Sequence, residues 1–114
     1  MKIINEKRIK ELTKVDLQVP IYQKIIKLGE ESGEVAQAFL EMDGAKNVSS
    51  SASTEDEDME VMEVMEVIEE CGDTINVALD IIFALQEKHD IQTSDIRELL
   101  DYKLDKWERK QKAY

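Results

Sequence analysis

An all-α fold is predicted by two observations. Pro occurs once, Gly four times and aromatics make up 5% of the 114 residues, while Glu, Lys, Leu, Ile and Val dominate. Long segments also repeat their apolar residues at helical spacing. A chain of this length suits one domain, residues 1–114, able to bury roughly two thirds of its surface on folding.

The elements follow in order. Residues 3–15, with Ile3, Ile4, Ile9, Leu12 and Val15 apolar, form a short first helix. Pro20 falls in the first turn of the next helix, where proline is tolerated. From Ile21 to about Met42 the apolar stripe is Ile21, Ile25, Leu28, Val35 and Phe39. Gly29, Gly33 and Ala36 on this helix are small enough to let another helix approach closely. Residues 43–58 have no periodicity and read as a flexible Ser/acid-rich loop.

A third helix is expected from about Met59 to Lys88. It opens with Met-Glu-Val three times over residues 59–67. A three-residue repeat drifts around a helix of 3.6 residues per turn, so this start is expected to pack only partly. For the same reason no coiled-coil heptad is read here. Further on, Ile68, Cys71, Ile75, Ala78, Leu79, Ile82 and Leu85 are apolar. Glu66, Glu70, Asp73 and Asp80 line a stripe beside them. His89 and Asp90 fall in a turn. Thr93, Ser94 and Asp95 read as the N-cap of a last helix to about Lys110, with Ile96, Leu99, Leu100, Leu104 and Trp107 apolar. Apolar residues on two sides of these helices exceed what one thin bundle covers. Oligomers, homodimer or homotetramer, are expected to complete a four-helix bundle core.

The formal net charge is −11, which argues against nucleic-acid polymers and anionic membranes as partners. From Glu55 to Asp73 every ionisable side chain but Cys71 is acidic, whereas Lys103 to Lys112 holds five basic residues against Asp105 and Glu108. Such walls of opposite charge suit a metal and a phosphate; solvated helix faces of opposite sign are the plainer reading. Cys71, the single cysteine, excludes an intramolecular disulfide, and its acidic neighbours disfavour a nucleophilic thiolate. With no signal peptide or membrane-length apolar stretch read in the sequence, a cytoplasmic location is expected.

The most informative pattern is a pair of acidic motifs. Residues 30–34 read Glu-Glu-Ser-Gly-Glu and residues 70–73 read Glu-Cys-Gly-Asp. Side chains at i and i+3 share a helix face, so Glu31 projects with Glu34 and Glu70 with Asp73. Four oxygen donors on two packed helices suit a hard cation such as Mg²⁺. A di-iron bundle needs Glu-x-x-His motifs, and the only histidine, His89, lies outside both segments. Zinc is poorer still, because the set of four carboxylates offers no nitrogen or sulfur ligand. Spacing alone leaves a second reading open, that of exposed acidic residues on amphipathic helices.

The run Lys-Leu-Gly-Glu-Glu-Ser-Gly-Glu-Val-Ala-Gln-Ala (27–38) and the run Glu-Glu-Cys-Gly-Asp-Thr-Ile-Asn-Val (69–77) resemble the EExxE and ExxD signatures of the MazG-like all-α nucleoside triphosphate pyrophosphohydrolases. Residues 91–109 resemble that family's closing helix, so the likeness spans about residues 20–110. It implies a helical bundle that assembles into oligomers. It also implies hydrolysis of a (d)NTP between its α and β phosphates to (d)NMP and pyrophosphate, a house-cleaning type of activity. Position by position, Glu31, Glu34, Glu70 and Asp73 match the Mg²⁺ ligands, with Mn²⁺ expected to substitute. Glu30 matches the first glutamate of EExxE, a residue suited to orient or deprotonate the attacking water. Lys27, Lys103 and Arg109 are candidates for phosphate, and Asn76 for ribose or base. The sequence departs from the family in its long gap between the motifs and in having no evident base-stacking aromatic. The alternative function is a non-catalytic helical interaction or regulatory module with an acidic docking face.

Overall fold

The computed structural model describes residues 2–48 and 54–113. Four helices follow one another among the described residues: α1 (Glu6–Val15), α2 (Ile21–Val48), α3 (Thr54–His89) and α4 (Thr93–Lys112). There is no strand among the described residues. The predicted order of one short and three long helices is what the chain adopts.

Local chemistry sets the helix ends. Asn5 Oδ1 accepts the Arg8 backbone N–H at 3.1 Å and caps α1. Pro20 lies one residue before α2, not inside its first turn, and its carbonyl accepts the N–H groups of Gln23 and Lys24. At the end of α3, Asp90 takes φ 52°, a left-handed conformation that aspartate tolerates better than most residues. The Ile91 N–H then reaches back to the Gln86 carbonyl at 3.1 Å and closes the helix end.

Some boundaries differ from the sequence reading. Both α2 and α3 run further into 43–58 than the missing apolar period implied, to Val48 and from Thr54. The remainder of that loop, residues 49–53, lies outside the described residues. The N-cap of α4 is Gln92, with no side-chain cap bond. Thr93 instead accepts a hydrogen bond from Gln86 Nε2 at 2.9 Å, which ties α4 back to α3.

Helices α2 and α3 form an antiparallel hairpin, and α1 packs on the C-terminal half of α3. The less exposed residues of α2 are Ile21, Lys24, Leu28, Glu31, Val35, Ala38 and Met42. On α3 the matching run is Glu63, Val67, Glu70, Thr74, Val77, Ile81 and Ala84. Both advance by alternating steps of three and four, the heptad seam of a coiled coil. The heptad was invisible in the apolar pattern because Lys24, Glu31, Glu63, Glu70 and Thr74 occupy seam positions. Ala38 and the fully buried Ala84 let the backbones approach. Gly29, Gly33 and Ala36 do not serve this purpose within the chain: all three are exposed, and a Cβ at either glycine would meet nothing within 4 Å.

Much of the predicted apolar stripe therefore stays outside the seam. Ile25, Phe39, Ile68 and Cys71 are exposed, as are Met59, Met62 and Met65 at the start of α3. That start packs only partly, as the three-residue repeat predicts. Beyond its turn, α4 packs broadly on no other helix, and Leu99, Leu104 and Trp107 face solvent.

Candidate metal centre

The antiparallel hairpin brings the two acidic motifs to the same level. One carboxylate oxygen each from Glu31, Glu34 and Glu70 lie within 4.8 Å of one another. Glu31 is buried at 7% exposure because it is a seam residue, Glu70 is half-buried for the same reason, and Glu34 sits at the edge. Oε2 of Glu31 and Oε2 of Glu70 are buried without a hydrogen-bond partner. Buried carboxylate oxygens normally accept bonds, since dehydrating a charged group is costly. Three converging oxygen donors, two with an unfilled acceptor, fit a hard divalent cation bound between the helices.

The electrostatics agree with that fit. Burial raises the Glu31 pKa, and the neighbouring Glu34 carboxyl raises it further. The Lys27 ammonium, 3.5 Å from Glu31 Oε1, acts in the opposite direction. A carboxyl whose folded pKa lies above its unfolded value holds more protons when folded. Its contribution to stability therefore falls as pH rises from about the ordinary value, 4.5, through the raised one. In a chelator, the melting temperature of the parent protein relative to Glu31→Gln is expected to decline across that window and then level off. Parallel melting curves for the two proteins would contradict the assigned cause.

The other predicted residues are placed less uniformly. Asp73 is exposed and is not part of the three-carboxylate group. Three residues from Glu70 turn a helix by less than a full circle, and the seam selects Glu70 and Thr74 instead, with Thr74 Oγ1 donating to the Glu70 carbonyl at 3.0 Å. Glu30 is exposed, one position off the seam. Asn76 lines a cavity of about 620 Å³ between α1 and α3, together with Asn5, Arg8, Leu12, Gly72 and Asp80. Lys103 and Arg109 are exposed on α4, and α4 does not pack across the hairpin that holds the carboxylates.

Sequence reasoning missed one charged pair at the seam. Lys24, 5% exposed, places Nζ 2.7 Å from Asp80 Oδ2 and so bridges α2 to α3. Asp80 was visible as part of the acidic stripe. The signal for its partner was the seven-residue spacing of Lys24, Glu31 and Ala38, which share one line along α2.

These features define a class of protein: an all-α chain built on a polar-seamed helical hairpin, with three carboxylates converging across it. No family model, curated protein or solved structure matches the chain.

Proposed function

We propose that the chain is a Mg²⁺-dependent nucleoside triphosphate pyrophosphohydrolase of the MazG-like kind, releasing (d)NMP and pyrophosphate. The observation that carries this reading is the meeting of Glu31, Glu34 and Glu70 across two helices, with two buried oxygens lacking partners. Those three residues would hold the ion. Mg²⁺ bound there supplies neutralisation of phosphate charge and activation of water for attack on phosphorus. Asp73, the last residue of the ExxD-like motif, is exposed outside that group, and its role as a fourth ligand rests on the resemblance alone. Glu30 takes the role of orienting the attacking water, and Lys27 balances the charge of Glu31 at 3.5 Å.

The cavity between α1 and α3 supports a nucleotide as ligand. It borders Gly72, the neighbour of Asp73, and its volume lies in the range of small-molecule sites. Asn76 there offers both a donor and an acceptor to a ribose or base.

The assembly we propose is a homo-oligomer that covers the exposed apolar faces. The chain exposes 9303 Å², against roughly 6,400 Å² for a compact monomer of 13.1 kDa. Its radius of gyration is 18.2 Å, against about 13 Å for a compact domain of this length. Covering a surplus of about 2,900 Å² on each of two chains would bury about 5,800 Å² in total, at the upper end of obligate interfaces. No helix among the described residues is long and apolar enough to cross a membrane, so a bilayer-spanning role does not account for that surface.

The testing experiment is a panel of ordinary and damaged (d)NTPs with Mg²⁺ or Mn²⁺, read by pyrophosphate release. Turnover of at least one member, dependent on the cation, is expected. No turnover across the panel would overturn the enzyme reading and favour a non-catalytic helical module with an acidic docking face.

A further inference from the structure

The Met-Glu-Val repeat at the start of α3 plays no part in the proposed chemistry, and its side chains are conspicuous. Met62 and Met65 are exposed at 71% and 50%; Glu66 in the repeat and Glu69 just beyond it are exposed too, whereas Glu63 lies in the α2 seam. A period of three rotates each successive methionine around a helix of 3.6 residues per turn. The repeat meets the α2 seam only through Glu63 and Val67, and all three of its methionines lie on the outer surface, where unbranched methionine adapts to a partner's shape. Helix α4 has the complementary character. Leu104 and Trp107 are exposed at 58% and 61%, and its second half carries Lys103, Lys106, Arg109, Lys110 and Lys112.

We infer that the Met-Glu-Val repeat of α3 is the docking surface for α4 of a second copy of this chain. Charge selects the pairing, because the repeat is purely acidic and the second half of α4 is mainly basic. The placement of α4 selects a second copy over the same chain. After the tight turn at Asp90, α4 packs broadly on no helix of its own chain, so its basic half does not meet the repeat of the same α3. With a second copy, a two-fold axis lets each chain give its α4 and receive the other's. The same docking carries the cations of α4 onto the helix that bears Glu70 of the second copy. The inference requires self-association but not catalysis, so its test is independent of nucleotide turnover.

The test uses two charge-reversal variants of the full chain, Glu66→Lys/Glu69→Lys and Lys106→Glu/Lys110→Glu, followed by analytical ultracentrifugation and circular dichroism. The parent is expected to self-associate with a dissociation constant that rises at least tenfold between 50 mM and 500 mM NaCl, because rim charges are screened. Each variant alone is expected to stay helical and be monomeric at concentrations where the parent is not. An equimolar mixture of the two is expected to recover a complex, through the restored pairing of opposite charges. A parent that is monomeric at every concentration overturns the inference. So does a salt-independent oligomer, or a pair of helical variants that each still self-associate.

Discussion

Glu70→Gln is expected to lower Mg²⁺-dependent pyrophosphate release about a hundredfold or more, while the melting temperature of the metal-free protein stays equal or rises. Glutamine keeps the shape of the side chain and removes one charge from a cluster of three carboxylates within 4.8 Å. In the ion's absence those charges repel across a partly dehydrated seam, so removing one relieves strain in the free protein. On the proposed reading, with the ion and a triphosphate bound, the same change would delete a ligand, and loss even of residues supporting a ligand costs 10–100-fold. Opposite signs for stability and activity are the mark of a site that sacrifices stability for binding. Thermal melts with and without Mg²⁺ supply the second readout. The parent is expected to gain melting temperature from the ion by mass action, and the variant to lose most of that gain. Unchanged turnover in Glu70→Gln, or lost activity with a lowered melting temperature, would show a structural and not a ligating residue.

Trp107→Glu is expected to weaken self-association at least a hundredfold, about 2.7 kcal/mol. Trp107 is 61% exposed on a helix that packs broadly on nothing else in its own chain. Were that face solvated in the working protein, an exposed tryptophan replaced by glutamate would change stability by no more than about 0.5 kcal/mol. Covered by a second copy, the same change removes a large apolar anchor and buries a charge, and aromatic anchors of this kind dominate interface energies. Sedimentation velocity over a concentration series separates the two cases. An unaltered association constant would mean that the surplus exposed surface is covered through some other face.

How much of this was legible in the sequence depends on which residues carried the signal. The helices were legible because each has a long apolar period and few glycines or prolines to interrupt it. The convergence of Glu31 and Glu34 followed from i,i+3 spacing, which is a property of any helix. Their meeting with Glu70 needed only that α2 and α3 be antiparallel neighbours. Asp73 did not follow, because its place depends on how α3 is rotated about its own axis. Local spacing says that Glu70 and Asp73 share a side; it does not say which of the two faces α2. The seam itself was hidden by its polar members. With Lys24 and Glu31 at heptad positions, a search for apolar repeats on α2 finds the seam residues Ile21, Leu28 and Val35 mixed with Ile25 and Phe39, which are exposed.

The sequence by itself determined the class of the fold, the order of its four helices and the acidic character of their meeting place. These are consequences of composition and of the 3.6-residue turn, which act locally and need no partner. Only the tertiary structure decided which side chains of each helix enter the seam, since that choice rests on how closely two backbones approach around Ala38 and Ala84. It placed Lys24 against Asp80, left two oxygens of Glu31 and Glu70 buried without partners, and kept α4 away from the hairpin. Each of these joins residues far apart in the chain. Such contacts are selected by packing and by the cost of dehydrating charge; a local pattern such as the seven-residue spacing of Lys24, Glu31 and Ala38 marks one side of a contact without naming its partner.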